Sequence, residues 1–277
     1  MQAMLAQAEA EARALGMPAD VLGAALETGD GFALLEWLVP RRAELDAAGV
    51  AAFTATCEGL LRRKTFLHPL APGGAGVLVP VVFGTGGHRG EIGRGLTLLH
   101  VHVIVTALMQ AIAAMNGAQR AEHFGAPDLA EVKRRGFVLG HDNRLFNPEF
   151  SRYAAHLLRR EGYAVRYAGR ISSPELSLLV PRLGWAGSLN FTPSHNPFRY
   201  GGLKLAPADG GLAGGDLTDP LAREANRLLE AAAPRTGLPP RRWRPSSPRR
   251  TPPWNGWSCT KPIWTPWTST RWCAWPS

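Results

Sequence analysis

A loop between two prolines places a hydroxyl, an imidazole and an amide side by side at Ser194, His195 and Asn196. Residues 190–197 read Asn-Phe-Thr-Pro-Ser-His-Asn-Pro and follow a short apolar run, which predicts a loop at the end of a strand. Because proline fixes φ, the loop has few accessible conformations. The serine hydroxyl could serve as a nucleophile, or the segment could be only a tight surface turn.

Two further segments combine a cation with glycines. Residues 83–90, Phe-Gly-Thr-Gly-Gly-His-Arg-Gly, can bring backbone N–H groups and Arg89 up to a phosphate. Residues 200–205, Tyr-Gly-Gly-Leu-Lys-Leu, carry Lys204 beyond two glycines that permit close backbone approach. Each segment alone is a weak signal, but the three in this order are specific and indicate a phosphate site.

The elements that must position these segments alternate along the chain. Apolar periodicity, caps and glycine breaks predict strands at 77–83, 136–141, 163–168 and 186–191 and helices at 97–115, 148–161 and 174–183. This pattern predicts an α/β fold with helices packed on a mixed or largely parallel sheet. Since such sheets bind ligands at strand ends, the loops after residues 83, 141 and 191 are candidate sites.

Composition divides the chain into three parts. Residues 1–75 are rich in helix formers and predict a helical N-terminal extension, and residues 76–233 form the α/β domain that carries the motifs. Residues 234–277 hold seven of nine Trp, ten of 23 Pro, eight Lys or Arg and no acid, and predict an irregular tail. The tail therefore accounts for +8 of the net charge of +9, because residues 1–233 hold 23 basic and 22 acidic residues.

The body of the chain has the composition of a cytoplasmic protein. Residues 1–233 contain one cysteine, Cys57, and the N-terminus has no basic segment followed by an apolar one. His100 and His102 interrupt the most apolar stretch, so we expect a buried helix with structural histidines rather than a membrane span or a metal pair. We expect neither nucleic acid nor membrane as a partner.

We interpret residues 234–277 as the product of a frameshift or of a sequencing error near or shortly after Pro234. Trp is encoded only by TGG, so reading one base earlier converts every Trp codon to NTG, and residues 263–269 then reread as ordinary aliphatic and acidic protein. Ten prolines among 44 residues predict disorder. The alternative is a basic, Trp-interleaved arm for single-stranded nucleic acid.

The three motifs together resemble those of the α-D-phosphohexomutases, over residues 77–230. That family has a Phe-Gly-Thr-Ser-Gly loop ending in Arg-Gly, then a Ser-His-Asn-Pro loop, then Gly-x-Lys. The Thr-Pro-Ser-His-Asn-Pro form, the histidine before Arg89 and Gly201-Gly-Leu-Lys204 are nearest to the glucose-phosphate-specific bacterial branch. The resemblance implies interconversion of hexose 1- and 6-phosphates, with glucose 1-phosphate and 6-phosphate as substrates and a bisphosphate as activator.

The resemblance also implies roles for individual residues. Ser194 matches the phosphorylated serine, which binds Mg²⁺ through its phosphate, and Lys204 matches the lysine of proton transfer. Arg89 matches the arginine beside the serine, and His195 and Asn196 match its loop partners. The remaining loop positions implied to contact phosphate or substrate are Gly84, Thr85, His88 and Thr192.

Several features depart from the family pattern. Gly86 replaces a serine, and Phe198-Arg199 replaces a pair that commonly contains proline and an acid. The sequence has no Asp-Gly-Asp-x-Asp-Arg metal loop, no Gly-Glu sugar loop and no distal phosphate loop. We therefore expect the chain alone to be inactive, and the alternative is a non-catalytic remnant that at most binds a sugar phosphate or a partner.

Two other interpretations of the polar residues carry less weight. A hydrolase dyad of Ser194 and His195 is disfavoured because adjacent residues of an extended loop point apart and no Gly-x-Ser-x-Gly motif is present. Asp142 and Arg144 are interpreted as a pair that stabilises a turn rather than as catalysts.

Overall fold

The computed structural model describes residues 2–28, 30–67 and 79–232. The predictions for residues 68–78 and 234–277 lie outside these ranges. Across the described ranges, ten α-helices and one five-stranded sheet are present. No helix in these ranges is long and apolar enough to cross a membrane.

Four helices form an N-terminal helical segment with its own apolar cluster. They are α1 (Gln2–Ala14), α2 (Ala19–Thr28), α3 (Gly31–Leu38) and α4 (Ala47–Arg62). Asp30 caps α3 by accepting from the backbone N–H groups of Phe32 and Ala33, and Asp46 caps α4. Buried side chains such as Leu34 and Phe53 join the helices through a shared core. A single π-turn, Arg63–Leu67, follows α4.

The sheet is mixed, as the sequence predicts. Its strands are β1 (Gly87–Glu91), β2 (Phe137–His141), β3 (Val165–Arg170), β4 (Gly187–Phe191) and β5 (Tyr200–Ala206). The spatial order is β1-β5-β4-β2-β3, with β4, β2 and β3 parallel and β5 antiparallel to both β4 and β1. The carboxyl ends of β2 and β4 therefore lie side by side at one edge.

Helices cover both faces of this sheet. The remaining helices are α5 (Leu98–Ala114), α6 (Gly117–Phe124), α7 (Leu129–Arg135), α8 (Asn147–Arg160), α9 (Ser173–Arg182) and α10 (Gly215–Ala232). Helix α8 connects β2 to β3, and α9 connects β3 back to β4 on the other side of β2. Because right-handed crossovers in opposite directions put their helices on opposite faces, the fold has α/β/α layers.

The predicted strand at 77–83 is wrong for the part that the structure describes. Residues 79–82 are not in the sheet, and Phe83 makes only an isolated bridge to His88. The amide side chain of Asn226 on α10 accepts from the N–H of Val81 and donates to its carbonyl, at 2.7 and 2.9 Å. A side chain from a distant helix thus satisfies the backbone groups that a strand partner would have used.

Helix α5 carries the two histidines that the sequence suggested are structural. His100 is fully buried, with Nε2 2.9 Å from the Val79 carbonyl oxygen and Nδ1 2.8 Å from the Thr97 hydroxyl. Burial lowers the pKa of His100 to about 4, so the imidazole is neutral. His102 lies 2.9 Å from the hydroxyl of Tyr153. Both histidines have hydrogen-bond partners within the fold, which confirms the prediction.

Candidate active site

The loops that follow β2 and β4 meet at the carboxyl edge of the sheet. The N–H of Asp142 donates to the Phe191 carbonyl at 3.0 Å, and Asn147 Nδ2 donates to the same oxygen at 3.0 Å. Asn147 is fully buried and also donates to Asp142 Oδ1 at 2.8 Å. The start of α8 and the two strand ends are therefore joined directly below the residues that the motifs single out.

Ser194 lies exposed in what we call the serine loop, residues 192–200, and it adopts a left-handed backbone conformation. Its φ is +62°, one of two positive values among the described residues that are not glycine. The buried Thr192 hydroxyl accepts from the N–H of Ser194 at 3.1 Å. A serine in this region costs about 1–3 kcal/mol and persists only when its surroundings hold it there. The serine loop is thus fixed in a strained form around the candidate nucleophile.

Arg144 holds the serine loop through its backbone. Nη1 donates to the carbonyl oxygens of Pro197 and Tyr200, and Nη2 donates to those of Ser194 and Asn196. The bonds to Tyr200 and Ser194 are each 3.3 Å long. A planar guanidinium can serve several acceptors at once, which a single amine cannot do in the same geometry. Arg144 therefore fixes both limbs of the loop.

The predicted turn pair of Asp142 and Arg144 is present but does not describe all that Arg144 does. Asp142 Oδ1 accepts from the backbone N–H of Arg144 at 2.9 Å, and the side chains lie 3.9 Å apart. The turn orients the guanidinium, whose acceptors are 50 to 56 residues further along the chain. Local sequence carried no signal for these long-range bonds.

Arg89 and Lys204 form a cationic face on the sheet beside the serine loop. Gly87 pairs with Lys204 and Arg89 with Gly202 across β1 and β5, so both cations project from the same face. A Cβ at Gly87 would lie 2.8 Å from Lys204 Cγ, and one at Gly202 would lie 2.7 Å from the Thr192 carbonyl oxygen. The two glycines therefore make room for the lysine and for the serine loop.

Electrostatics favour loss of the proton from Lys204. Partial burial lowers its pKa, and the positive charge of Arg89 lowers it further. An amine with a lowered pKa exchanges protons more readily near neutral pH. The cationic face can therefore both attract phosphate and take part in proton transfer.

The glycine-rich segment forms a tight turn before β1. The N–H of Gly84 donates to the Gly87 carbonyl at 3.0 Å, and Gly84 and Thr85 are exposed. Gly86 has a φ of +68°, and a Cβ there would lie 2.9 Å from Leu212 Cδ2. The conformation and the Leu212 side chain together explain why a serine, which the family pattern would place here, does not suit this chain.

His88 is not brought to the exposed face with the other predicted residues. It is 1% exposed, with Nε2 2.8 Å from the Gly95 carbonyl oxygen and Nδ1 3.2 Å from that of Val82. Its ring stacks on that of His100, with centroids 5.8 Å apart. Burial lowers the pKa of His88. His88 therefore supports the turn from beneath, whereas the exposed His195 and half-buried Asn196 lie in the serine loop itself.

The described residues do not form a Mg²⁺ site by themselves. Across the parts of the chain that the structure describes, no group of three or more His, Cys, Asp or Glu side chains could hold a metal ion. The carboxylate of Asp142 is already bonded to the backbone of Arg144 and the amide of Asn147. Mg²⁺ takes several oxygen ligands in octahedral order, and a phosphate on Ser194 would supply only part of that set.

Comparison with known proteins identifies the family. The family model for phosphoglucomutase/phosphomannomutase, alpha/beta/alpha domain I, matches residues 80–232, more than half of the chain. The chain belongs to this family. The mixed sheet with helices on both faces is the α/β/α architecture that the family description states, and the phosphohexomutase resemblance is confirmed for this domain.

Individual relatives match this phosphohexomutase domain over a limited part of their length. The "Probable phosphoribomutase" of Schizosaccharomyces pombe is 28% identical over 44% of this chain and 19% of its own length. A phosphoglucomutase of Staphylococcus aureus (strain bovine RF122) is 27% identical over 52% of this chain and 24% of its own. A solved phosphoglucomutase/phosphomannomutase family protein of Burkholderia thailandensis is 24% identical, with a TM-score of 0.40 over 53% of this chain and 29% of that one. The chain thus spans about a quarter or less of the curated relatives quoted.

Proposed function

We propose that this chain supplies the phosphoserine domain of a phosphohexomutase, with Ser194 as the residue that carries the phosphoryl group. The observation that carries the proposal is the left-handed backbone conformation of Ser194, whose hydroxyl is exposed. Thr192 holds this conformation from within the serine loop, and Arg144 holds it from outside the loop. Strain of this kind collects at functional sites, where the surrounding structure maintains it.

Two residues of the cationic face can take part in the proposed phosphoryl transfer. The bond between phosphorus and Ser194 Oγ breaks, a bond to a sugar hydroxyl oxygen forms, and the proton of that hydroxyl leaves to a base. Lys204 suits this role because its pKa is lowered, and Arg89 offers positive charge to the phosphoryl oxygens. In the second half, the phosphoryl group at the other sugar position returns to Ser194 and a proton returns to the sugar oxygen.

We propose hexose 1- and 6-phosphates as substrates, with glucose first, and a hexose bisphosphate as activator. The motif forms around Ser194 and Lys204 support glucose. The relatives' names include both a phosphoglucomutase and a phosphoribomutase, so glucose 1-phosphate and ribose 1-phosphate are the substrates to compare. Mg²⁺ is the metal proposed for the complete enzyme, and a cytoplasmic location stays a prediction from cysteine usage.

Phosphate labelling tests the role of Ser194 directly. Incubation of a frame-corrected chain with ³²P-labelled glucose 1,6-bisphosphate, followed by protease digestion and mass spectrometry, should find the phosphate on Ser194. Ser194→Ala should abolish labelling, and Ser177→Ala on α9 should not change it. Labelling that survives in Ser194→Ala, or that maps to another residue, contradicts the proposal.

We further propose that the 277-residue chain alone does not turn over glucose 1-phosphate. The sequence has no Asp-Gly-Asp-x-Asp-Arg motif, and the described residues hold no carboxylate cluster. A non-catalytic remnant is the alternative that the same observation favours. Sequencing the genomic DNA around the codon of Pro234 distinguishes a complete enzyme from a remnant. A shifted reading frame that encodes the metal loop supports the enzyme, whereas DNA without such a frame supports the remnant.

A further inference from the structure

The N-terminal helical segment contacts the serine loop through an aromatic pair. Phe198 packs edge-to-face on Phe32 of α3, with ring centroids 5.7 Å apart. Phe32 is 2% exposed, whereas Phe198 is 48% exposed. Phe198 therefore covers an apolar side chain of the helical segment while about half of its own surface stays exposed to solvent.

Arg199, the next residue, bonds three carboxylates from two elements. Its guanidinium lies 2.9 Å from the carboxylate of Asp30, which precedes α3, and 3.2 Å from that of Glu36, which is part of α3. It also pairs with Glu91 at the end of β1. Burial opposes the charge on Arg199, but the three carboxylates outweigh it and the pKa is raised. The side chain is 24% exposed, so these pairs are partly shielded from solvent.

The partners of Arg199 are themselves fixed. Asp30 caps α3, so its carboxylate is positioned by the helix N-terminus as well as by the guanidinium. The carbonyl of Arg199 accepts from the N–H of Ile92 at 3.0 Å, just beyond β1. Because β1 carries Arg89, one residue connects the helical segment, the serine loop and the strand of the cationic face.

This contact also accounts for a departure from the family pattern. An acid at position 199 would face the carboxylates of Asp30, Glu36 and Glu91, and like charges at this distance destabilise. Phe198 and Arg199 instead match the ring of Phe32 and the negative charge beside it. The unusual pair and the helical segment are therefore complementary.

We infer that the N-terminal helical segment is a positioning element for phosphoryl transfer, which holds the serine loop in place through Phe198 and Arg199. The inference rests on the proposed function only in naming Ser194 as the phosphate carrier. Arg144 fixes the loop from the side of α8, and Arg199 fixes it from the side of α3. With both in place, the loop is bound on two sides of Ser194.

Hydrogen exchange on the full chain measures whether the contact orders the loop. In Arg199→Gln, the N–H groups of Ser194 and Tyr200 should exchange about tenfold faster. Arg62→Gln is the matched control, because Arg62 also joins the helical segment to the α/β body, at 3.1 Å from Glu149 on α8, but does not contact the loop. It should leave exchange in residues 192–200 within about twofold of wild type.

A second variant and a second measurement keep the inference separate from the proposed function. Phe198→Ala should raise loop exchange in the same direction even if Arg199→Gln folds poorly, and Arg199→Lys, which can reach fewer carboxylates, should lie between wild type and Arg199→Gln. In a frame-corrected chain, labelling of Ser194 by the bisphosphate should slow about tenfold in Arg199→Gln. If the wild-type frame-corrected chain is not labelled, the proposed function alone is refuted. Unchanged loop exchange in both Phe198→Ala and Arg199→Gln, or an equal rise in Arg62→Gln, overturns the inference.

Discussion

Replacing Arg144 by lysine should loosen the serine loop without removing a positive charge. Lysine keeps the cation but loses the planar fork that serves the carbonyls of Ser194, Asn196, Pro197 and Tyr200. A single amine can replace at most part of this set, and we count two of the four hydrogen bonds as lost. The change therefore isolates geometry from charge.

The expected size follows from these bonds. Each lost hydrogen bond contributes about 1 kcal/mol net, so losing two lowers the free energy of opening the loop by about 2 kcal/mol. Every 1.4 kcal/mol is about a tenfold change in an equilibrium, so the N–H groups of Ser194 and Tyr200 should exchange about 30-fold faster. Loss of loop order should also slow phosphate labelling of Ser194, because the reacting oxygen is no longer held in position.

Hydrogen exchange followed by mass spectrometry on residues 192–201 measures this, and Arg120→Lys is the matched control. Arg120 also donates to backbone carbonyls, at 2.8 Å to Pro127 and 3.4 Å to Ile112, but in the connection between α5 and α7. It should speed exchange there and leave the serine loop unchanged. If Arg144→Lys lowers the melting temperature while exchange in the loop stays at the wild-type rate, Arg144 supports only the fold and the reasoning is refuted.

Three further predictions concern the site and its support. Lys204→Met should reduce the rate of phosphoryl transfer in a complete enzyme by roughly a hundred- to ten-thousand-fold with little change in melting temperature, and a large loss of stability with normal turnover would contradict this. Gly202→Ala should lower the free energy of unfolding in urea by about 1–3 kcal/mol, because its Cβ would lie 2.7 Å from the Thr192 carbonyl oxygen. Gly23→Ala is the control and should be neutral or stabilising, because the space around Gly23 is open. The pKa of His100 is lowered from 6.5 to about 4 in the fold, so the folded state resists protonation of this side chain more than the unfolded state does. The free energy of unfolding should therefore be highest above pH 6.5 and fall by up to about 3 kcal/mol as the pH falls to 4. His100→Gln should have a shallower loss of stability in urea unfolding over this range, and an equal pH dependence would show that other groups cause it.

The sequence predicted the crossovers of the fold well because their signals are local. Helices α5, α8 and α9 begin and end within one residue of their predicted limits, since proline, glycine and capping residues mark them. The strand predicted at 77–83 failed in its described part because Asn226, 145 residues away, takes the backbone groups of Val81. Helix α10 was not predicted at all, although it supplies that asparagine.

The candidate site was predicted as a set of residues but not as an arrangement. Spacing placed Ser194, Arg89 and Lys204 together, and β1 and β5 bring the two cations to one face. The bonds that order the serine loop join residues far apart, 52 positions for Arg144 with Asn196 and 169 for Arg199 with Asp30, so no local pattern reports them. The left-handed conformation of Ser194 was likewise invisible, because serine is not a residue that signals positive φ.

That conformation restricts which side chain could take the proposed role of phosphate carrier at position 194. Threonine offers the same hydroxyl chemistry, but its branched Cβ clashes with the backbone at a φ of +62°. Aspartate and asparagine tolerate the left-handed region, so Ser194→Asp would keep the shape of the loop while placing a negative charge where the phosphate would lie. The backbone conformation therefore favours serine over threonine as the proposed phosphate carrier at this position.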